Sequence, residues 1–233
     1  MEKMQKDNKG NEEKEKDYVP LMISLSGKNV VIFGGGEVAE RKALRFMDSS
    51  NVIVYSPTFT EALEKANEEK KLKAVSLSLK TSKEQVEPII SDAFLVIPAT
   101  SDTKLNSFIT DLAKQKNILV NSVDGANEVV IPSTVKMGGL TIAISSKGLS
   151  PAATKLARMR IETVITKDFE YMIEIQNELR TYLKEKVDDQ KQRQKIIWEI
   201  LKSEEIWNEI KVSKESATKK AFEKAERMIK DLS

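Results

Sequence analysis

Three small residues, Gly34, Gly36 and Ala39, have the spacing Gly-x-Gly-x-x-Ala that is typical of a dinucleotide-binding turn. In such a turn the first glycine allows a sharp bend, the second leaves room for a pyrophosphate, and the alanine lets the helix pack closely on the strand. Backbone N–H groups and the positive end of the helix dipole favour the phosphates. An apolar run precedes the turn and a helical pattern follows it, so a turn that binds nothing is the less favoured interpretation. Glu37 and Val38, which begin the helix, belong to the predicted cofactor contacts.

A second group of predicted cofactor contacts follows the second predicted strand, at Ser56, Pro57 and Thr58. An NAD site usually has Asp or Glu about 20 residues past the glycines, where it binds the ribose hydroxyls. The sequence has no acid there, which weakens the NAD signature, and no nearby Arg or Lys for a 2′-phosphate. The hydroxyl groups of Ser56 and Thr58 can still bind a ribose edge. Thr100, after the fourth predicted strand, completes the predicted cofactor set.

A carboxylate follows the fifth predicted strand, at Asp124 in the run Asn121-Ser122-Val123-Asp124-Gly125. Ligands of open α/β sheets lie beyond the carboxyl ends of the strands, so this acid is a candidate for chemistry next to the cofactor. The alternative is that Asp124 caps or turns the chain before Gly125. Position alone favours neither interpretation.

The run Ser145-Ser146-Lys147-Gly148-Leu149-Ser150-Pro151 is a third candidate. Its hydroxyl groups and helix-start amides can hold a carboxylate or a phosphate. By itself the run is better explained as a junction between a strand and a helix, because Ser150 suits the N-cap and Pro151 the first helical position.

Composition restricts the chemistry further. The 233 residues include neither Cys nor His, so thiolate and imidazole chemistry are excluded, and proton transfer near neutral pH must use carboxylates, lysines or tyrosines. For the same reason no resident metal site is predicted. The net charge of +2, from 38 basic and 36 acidic residues, is not the one-sided excess of a nucleic-acid binder.

The sequence also suggests where the protein acts. No apolar run approaches the roughly 20 residues of a membrane span. Residues 1–17 are polar and charged without the apolar centre of a signal peptide, and they are predicted to be a disordered tail. A cytoplasmic protein that binds neither membrane nor nucleic acid is therefore expected.

The elements that must position these candidates alternate between strand and helix up to about residue 123. Strands are predicted at Asn29–Phe33, Asn51–Tyr55, Lys73–Leu79, Ala93–Ala99 and Ile118–Val123, and helices at Glu37–Met47, Thr60–Lys70, Ser82–Ile90 and Thr103–Lys116. This alternation predicts an α/β fold with a Rossmann-like, doubly wound parallel sheet. Asp102 is the predicted cap of the fourth helix, and Pro88 predicts that the third is short or broken.

After Asp124 the pattern changes to two strands, Glu128–Lys136 and Leu140–Ser146, joined by a Gly-Gly hairpin turn, and then to helices only. Since two strands alone are marginally stable, a second subunit is the expected partner. The predicted divisions are 18–126 for the nucleotide-binding domain, 127–165 for a dimerisation segment of hairpin plus helix, and 166–233 for an all-helical domain. Trp198 and Trp207 are predicted core residues.

Five motifs in this order resemble the precorrin-2 dehydrogenase family of siroheme biosynthesis, some members of which also act as sirohydrochlorin ferrochelatase. They are GGGEVAERKA, PATSDTKLN, NSVDGAN, VVIPSTV and AISSKGLSPAATKLAR, and the likeness runs from about Tyr18 to Glu162. The departures are modest. Ser122 and Gly125 vary the pattern Asn-Val-Val-Asp-Ala-Pro, and Lys147-Gly148-Leu149 replaces a more glycine-rich turn.

The resemblance implies NAD-dependent oxidation of precorrin-2, a reduced tetrapyrrole with eight carboxylates, to sirohydrochlorin. It also implies a homodimer and maps the family's essential aspartate onto Asp124, which favours the catalytic interpretation of that residue. Asn121, Ser146 and Lys147 are the expected substrate contacts. The sequence leaves open whether ferrous or cobaltous ion is a second substrate, and whether the chain is instead a regulatory NAD sensor without catalysis.

Overall fold

The computed structural model describes residues 18–122 and 128–231, and the chain divides between Val130 and Ile131 into two compact units. The first unit has a five-stranded parallel sheet whose strands are connected by helices. In chain order its elements are β1 (Asn29–Phe33), α1 (Glu37–Phe46), β2 (Asn51–Ser56), α2 (Glu61–Glu68), β3 (Lys73–Ser76), α3 (Lys83–Ile90), β4 (Ala93–Pro98), α4 (Thr103–Gln115) and β5 (Leu119–Val120).

The sheet is doubly wound about its central strand. The strand order is β3-β2-β1-β4-β5, so β1 pairs with β2 on one side and with β4 on the other, always in parallel. The winding therefore reverses between β1 and β4, which is where open α/β sheets form a ligand crevice. The predicted Rossmann-like fold is confirmed.

The central strand is apolar because helices cover both faces of the sheet. Val31 and Phe33 point into a core shared with Val86 and Ile90 of α3 and with residues of α4. The intervening Ile32 is also fully buried, on the opposite face.

Three strands of the sheet are shorter than predicted, and β4 differs least because it ends at Pro98 rather than Ala99. β3 ends at Ser76 rather than Leu79, and Leu77 beyond it is substantially exposed. β5 contains only Leu119 and Val120, although the Asn121 backbone N–H still donates to the Val96 carbonyl at 3.0 Å. The third helix is short, as predicted, and continues through Pro88 without a break.

The second unit contains a hairpin followed by helices. Its elements are β6 (Ser133–Met137), β7 (Leu140–Ile144), α5 (Pro151–Val164), α6 (Lys167–Lys186), α7 (Gln190–Leu201), α8 (Glu204–Ile210) and α9 (Lys214–Lys230). The hairpin is confirmed, but its first strand begins at Ser133 rather than Glu128, and its second strand ends at Ile144 rather than Ser146. Pro132 lies just before it and lacks the N–H that a paired strand needs.

Helices α6 to α9 enclose one apolar core. Trp207 packs against this core, and its indole N–H donates to the Leu201 carbonyl at 2.7 Å, which confirms that prediction. The prediction for Trp198 was wrong, since its side chain is 50% exposed. Ile196 and Ile200 form the buried side of α7. Trp198 is two residues from each of them, so it lies on the opposite side of the helix. In the described residues no helix combines the length and apolar character needed to cross a bilayer.

Candidate functional site

The glycine turn lies where the winding of the sheet reverses. Gly34 has a φ of +114°, and a Cβ there would lie 2.3 Å from the Ala99 carbonyl oxygen. Its backbone N–H donates to the Tyr55 carbonyl at 2.9 Å, while the Ala99 N–H donates to the Phe33 carbonyl at 2.8 Å. Only glycine fits this conformation and this space, so the bend is fixed by the neighbouring strand ends.

Gly35, the variable position of the motif, is the most tightly packed of the three glycines. A Cβ there would lie 1.9 Å from the Thr58 carbonyl oxygen, and the Gly35 carbonyl accepts a hydrogen bond from the Thr60 N–H at 3.0 Å. Sequence reasoning assigned no role to this residue. The run of three consecutive glycines was the available signal, because a glycine at a variable position needs its own explanation.

Gly36 differs from its two neighbours because it is exposed and faces open space. A Cβ added there meets no described atom within 4 Å. It is the N-cap of α1, and no side chain in the described residues caps that helix start. Glu37 and Val38 are exposed in the first turn, and the buried Ala39 packs the helix onto the sheet. Room, free N–H groups and a helix dipole together fit the pyrophosphate of a dinucleotide.

The second strand ends beside this turn. Ser56 is buried, and its hydroxyl oxygen would lie 2.8 Å from a Cβ on Gly35, whereas Pro57 and Thr58 are exposed. The Thr60 hydroxyl is buried and has no hydrogen-bond partner in the described part of the chain. Because Ser56 is buried and Thr58 is exposed, Thr58 is the more accessible of the two hydroxyl residues predicted to bind ribose.

The end of β4 is held by a side-chain network that sequence reasoning missed. Asn106, which is almost fully buried, accepts from the Thr100 hydroxyl at 2.7 Å and from the Thr100 N–H at 3.0 Å, and it donates to the Thr100 carbonyl. Asp102 accepts from the N–H groups of Lys104 and Leu105, which confirms the predicted cap of α4. The network fixes Thr100 where the chain leaves β4.

Asn121 is the central residue where the chain leaves β5. Its side chain is buried, its Oδ1 accepts from the Lys42 ammonium, and its Nδ2 donates to the Val129 carbonyl at 2.7 Å. Burial lowers the pKa of Lys42, and repulsion from Arg45 and Arg41 lowers it further. These contacts position the chain, and direct contact of Asn121 with substrate stays a prediction.

The predicted catalytic residue Asp124 lies outside the described residues, within 123–127. Its role therefore stays a prediction. On either side in sequence, Ser122 is buried and Glu128 is exposed. Asp102, an acid that follows β4, is engaged as the cap of α4.

In the second unit, Ser146 belongs to a compact turn before α5. Its hydroxyl accepts from the Ser150 N–H and interacts with the Thr154 hydroxyl, both at 3.0 Å. Lys147 is exposed with a φ of +53°. Ser150 caps α5 through the Ala153 N–H at 3.1 Å, and α5 begins at Pro151, as predicted. Substrate binding by Ser146 and Lys147 stays a prediction.

The described residues contain no group of three or more Asp and Glu side chains that could hold a metal ion. On α5, Arg158 forms an ion pair with Glu162 at 2.7 Å, whereas Lys155 is exposed. The cationic side chains of this helix are thus presented at its surface.

Comparisons with known proteins agree with this arrangement. A family described as "Putative NAD(P)-binding" matches residues 21–133, which span the glycine turn and the sheet. Precorrin-2 dehydrogenase of Methanosarcina barkeri is 44% identical over 210 residues, which cover 90% of this chain and 94% of that protein. Siroheme synthase of Nitrosospira multiformis is 33% identical over 78% of this chain, which spans only 39% of that longer relative.

The fold has a counterpart among solved structures. The precorrin-2 dehydrogenase SirC matches 90% of this chain and all of its own with a TM-score of 0.71, at 20% sequence identity. At that identity the match establishes the fold alone. The identity with the Methanosarcina relative over nearly its whole length establishes more: this chain belongs to the precorrin-2 dehydrogenase family.

Proposed function

We propose that this protein oxidises precorrin-2 to sirohydrochlorin in the cytoplasm, with NAD as the oxidant. The observation that carries this function is the 44% identity with a precorrin-2 dehydrogenase over 90% of the chain. The glycine turn supports it independently, because its exposed third glycine and uncapped helix start fit a dinucleotide pyrophosphate.

The first unit binds and orients the cofactor. Gly36 and the first turn of α1, including Glu37, Val38 and Ala39, hold the pyrophosphate through backbone N–H groups. Thr58 is the exposed hydroxyl residue at the end of β2, and Thr100, whose hydroxyl donates to Asn106, lies at the end of β4. Bound there, NAD would supply the acceptor for the hydride that the substrate loses.

Asp124 is the proposed proton acceptor. Oxidation of the macrocycle removes one hydride and one proton, giving sirohydrochlorin, reduced cofactor and a proton that needs a base. Because the chain has no histidine, a carboxylate is the suitable group, and exclusion of water would raise its basicity. The resemblance of NSVDGAN to the family motif supports this assignment.

Cationic and polar side chains are proposed to bind the substrate's carboxylates. Ser146 and Lys147 lie in the turn before α5, and Lys155 and Arg158 lie on that helix. A reduced tetrapyrrole with eight carboxylates has more than enough acids for these groups.

Anaerobic incubation with precorrin-2 and NAD tests the function directly. We expect sirohydrochlorin and reduced cofactor in equal amounts, measured by absorbance. Absence of turnover by a protein that still binds NAD would favour the regulatory sensor instead.

The role of Asp124 is tested by Asp124→Ala, which should abolish turnover while leaving NAD affinity roughly unchanged. Asp92→Ala is the matched control, because this exposed acid precedes β4 at the opposite end of the sheet and should leave turnover intact. Near-normal sirohydrochlorin formation by Asp124→Ala would contradict the assignment.

Iron insertion is a second candidate activity, supported by the match to a siroheme synthase. Ferrous or cobaltous ion would then be a substrate, and a hard carboxylate such as Asp124 could help to remove pyrrole protons. Incubation of sirohydrochlorin with either ion, with and without the protein, tests this activity. An unchanged rate of metal insertion would exclude it.

We further propose that the protein is a homodimer formed through the second unit. Helix α5 has 14 residues and buries none of them, and Leu156 and Met159 are each 50% exposed on it. The two-stranded sheet β6–β7 also gains stability from a partner. A second copy of the chain supplies an apolar surface of the same kind, as a two-fold dimer requires.

Sedimentation analysis of Leu156→Glu tests the dimer. We expect the wild-type protein to sediment as a dimer and the variant as a monomer. Val212→Glu is the control, since Val212 is 80% exposed between α8 and α9 and should not change the mass. A monomeric wild-type protein would contradict the proposal.

A further inference from the structure

Lys42 is an unusual residue for its position on α1. It comes three residues after the buried Ala39 and directly before the buried Ala43, and its ammonium donates to the Asn121 Oδ1. It forms no ion pair with any carboxylate among the residues that the structure describes. Removing a cation from water against a neutral amide costs stability, and an apolar residue of similar length would avoid that cost. Stability alone therefore does not account for a lysine here.

Asn121 joins three separate segments of the first unit. Its backbone N–H donates to the Val96 carbonyl of β4 at 3.0 Å, and its Nδ2 donates to the Val129 carbonyl at 2.7 Å. The Val129 N–H in turn donates to the Val120 carbonyl at 3.3 Å. Together with Lys42 on α1, these bonds connect the cofactor-binding helix to the chain on both sides of residues 123–127.

We propose that Lys42 and Asn121 form a positioning pair, through which α1 sets the placement of the chain at Asn121 and Val129, which lie before and after Asp124 in sequence. This inference rests on the proposed function. Lys42 follows Glu37 by five residues, which is about 7.5 Å along a helix axis. One rigid helix thus presents its first turn to the cofactor phosphates and its second turn to Asn121.

The Lys42→Met variant tests the pair through a separation of kinetic constants. Because Lys42 positions other residues without touching substrate, kcat for precorrin-2 oxidation should fall about 10- to 100-fold while KM for precorrin-2 and the Kd for NAD stay near wild type. Lys42→Arg keeps a donor for Asn121 and should recover much of the activity. Arg41→Met removes an exposed cation from the same helix and is the matched control, with no expected change.

Coupling between the two residues can be measured in the same assay. Asn121→Leu should lower kcat to a similar extent, and the double variant with Lys42→Met should be little worse than either single one, because both changes break one network. Additive losses would contradict the pair.

Hydrogen exchange gives a readout that does not depend on activity. In Lys42→Met the Val129 amide should exchange faster, while amides within β1 and α1 keep their protection and the thermal midpoint confirms a folded protein. An unchanged kcat, a raised KM with kcat unaltered, or an unchanged Val129 amide would each overturn the inference. If the wild-type protein forms no sirohydrochlorin, the proposed function fails by itself, and hydrogen exchange still decides whether Lys42 holds Val129.

Discussion

Helices α1 and α4 begin at the same edge of the sheet, after two neighbouring strands, yet only α4 has a side-chain cap on its first turn. The α4 start is closed by Asp102, whose carboxylate accepts hydrogen bonds from two backbone N–H groups. The α1 start is Gly36, which has no side chain, and no described residue caps it. Both helices have the same dipole, so the difference lies in what the chain leaves uncovered. We therefore infer that the uncapped start of α1, and not the capped start of α4, is open to a ligand.

Gly36→Asp should have the largest effect, because it makes α1 begin as α4 does. The new carboxylate would cap the first turn and repel a pyrophosphate, so NAD affinity should fall by about 1,000-fold, or roughly 4 kcal/mol. The fold should survive, since a Cβ at Gly36 meets no described atom within 4 Å. Calorimetric titration with NAD and a thermal melt measure the two quantities. Retained NAD binding would mean that the phosphates do not lie at this helix start.

Gly35→Ala should act on stability instead. Its Cβ would lie 1.9 Å from the Thr58 carbonyl oxygen, so backbone must move, at a cost of about 3 kcal/mol. Urea denaturation measures the loss, with Gly36→Ala as the control that should lose much less. Equal losses for the two variants would contradict the distinction between a packed and an open glycine.

Asp102→Ala should cost about 1 kcal/mol in the free energy of unfolding, the usual value of a lost helix cap. NAD affinity should not change, because this helix start is closed to ligands. Urea denaturation and NAD titration on the same preparation separate the two effects. If NAD affinity fell by more than the loss of stability explains, Asp102 would belong to the cofactor site.

The smallest effect is expected at a neutral cap in the second unit. Ser213 accepts one hydrogen bond from the Ser216 N–H at 3.3 Å, so Ser213→Ala should cost about 0.5 kcal/mol. Ser203 occupies the same position of α8 without capping it through its side chain, and Ser203→Ala should cost less still. Urea denaturation of both variants compares Ser213, whose side chain caps its helix, with Ser203, whose side chain does not. A larger loss for Ser203→Ala would reverse that order.

Local chemistry made most of the fold predictable from the sequence. Asp102, Ser150 and Pro151 lie at the helix starts to which the sequence assigned them. This was predictable because an N-cap side chain bonds backbone N–H groups only two or three residues further along the chain. The apolar runs of β1 and β4 likewise predicted buried parallel strands. The ends of β3 and β5 were not predictable to the residue, since pairing with a neighbouring strand decides where each strand stops.

The site was less predictable because much of it depends on contacts between distant residues. Lys42 and Asn121 are separated by 79 positions, and no spacing in the sequence indicates that they meet. The close approach of Gly35 to Thr58 also arises only when β1 and β2 align. Trp198 shows the converse error, in which a large apolar residue was assigned to the core without asking which side of its helix it occupies.

The two outermost strands of the parallel sheet are its shortest, with four residues in β3 and two in β5. An exposed strand margin is a template on which another molecule can add a strand and begin aggregation. The edge strand β3 is short and includes Lys73. The edge strand β5 is also short, and the carbonyl of its last residue, Val120, accepts a hydrogen bond from the Val129 N–H. Intermolecular growth of this sheet therefore has little to start from, even while the chain is newly folded and concentrated.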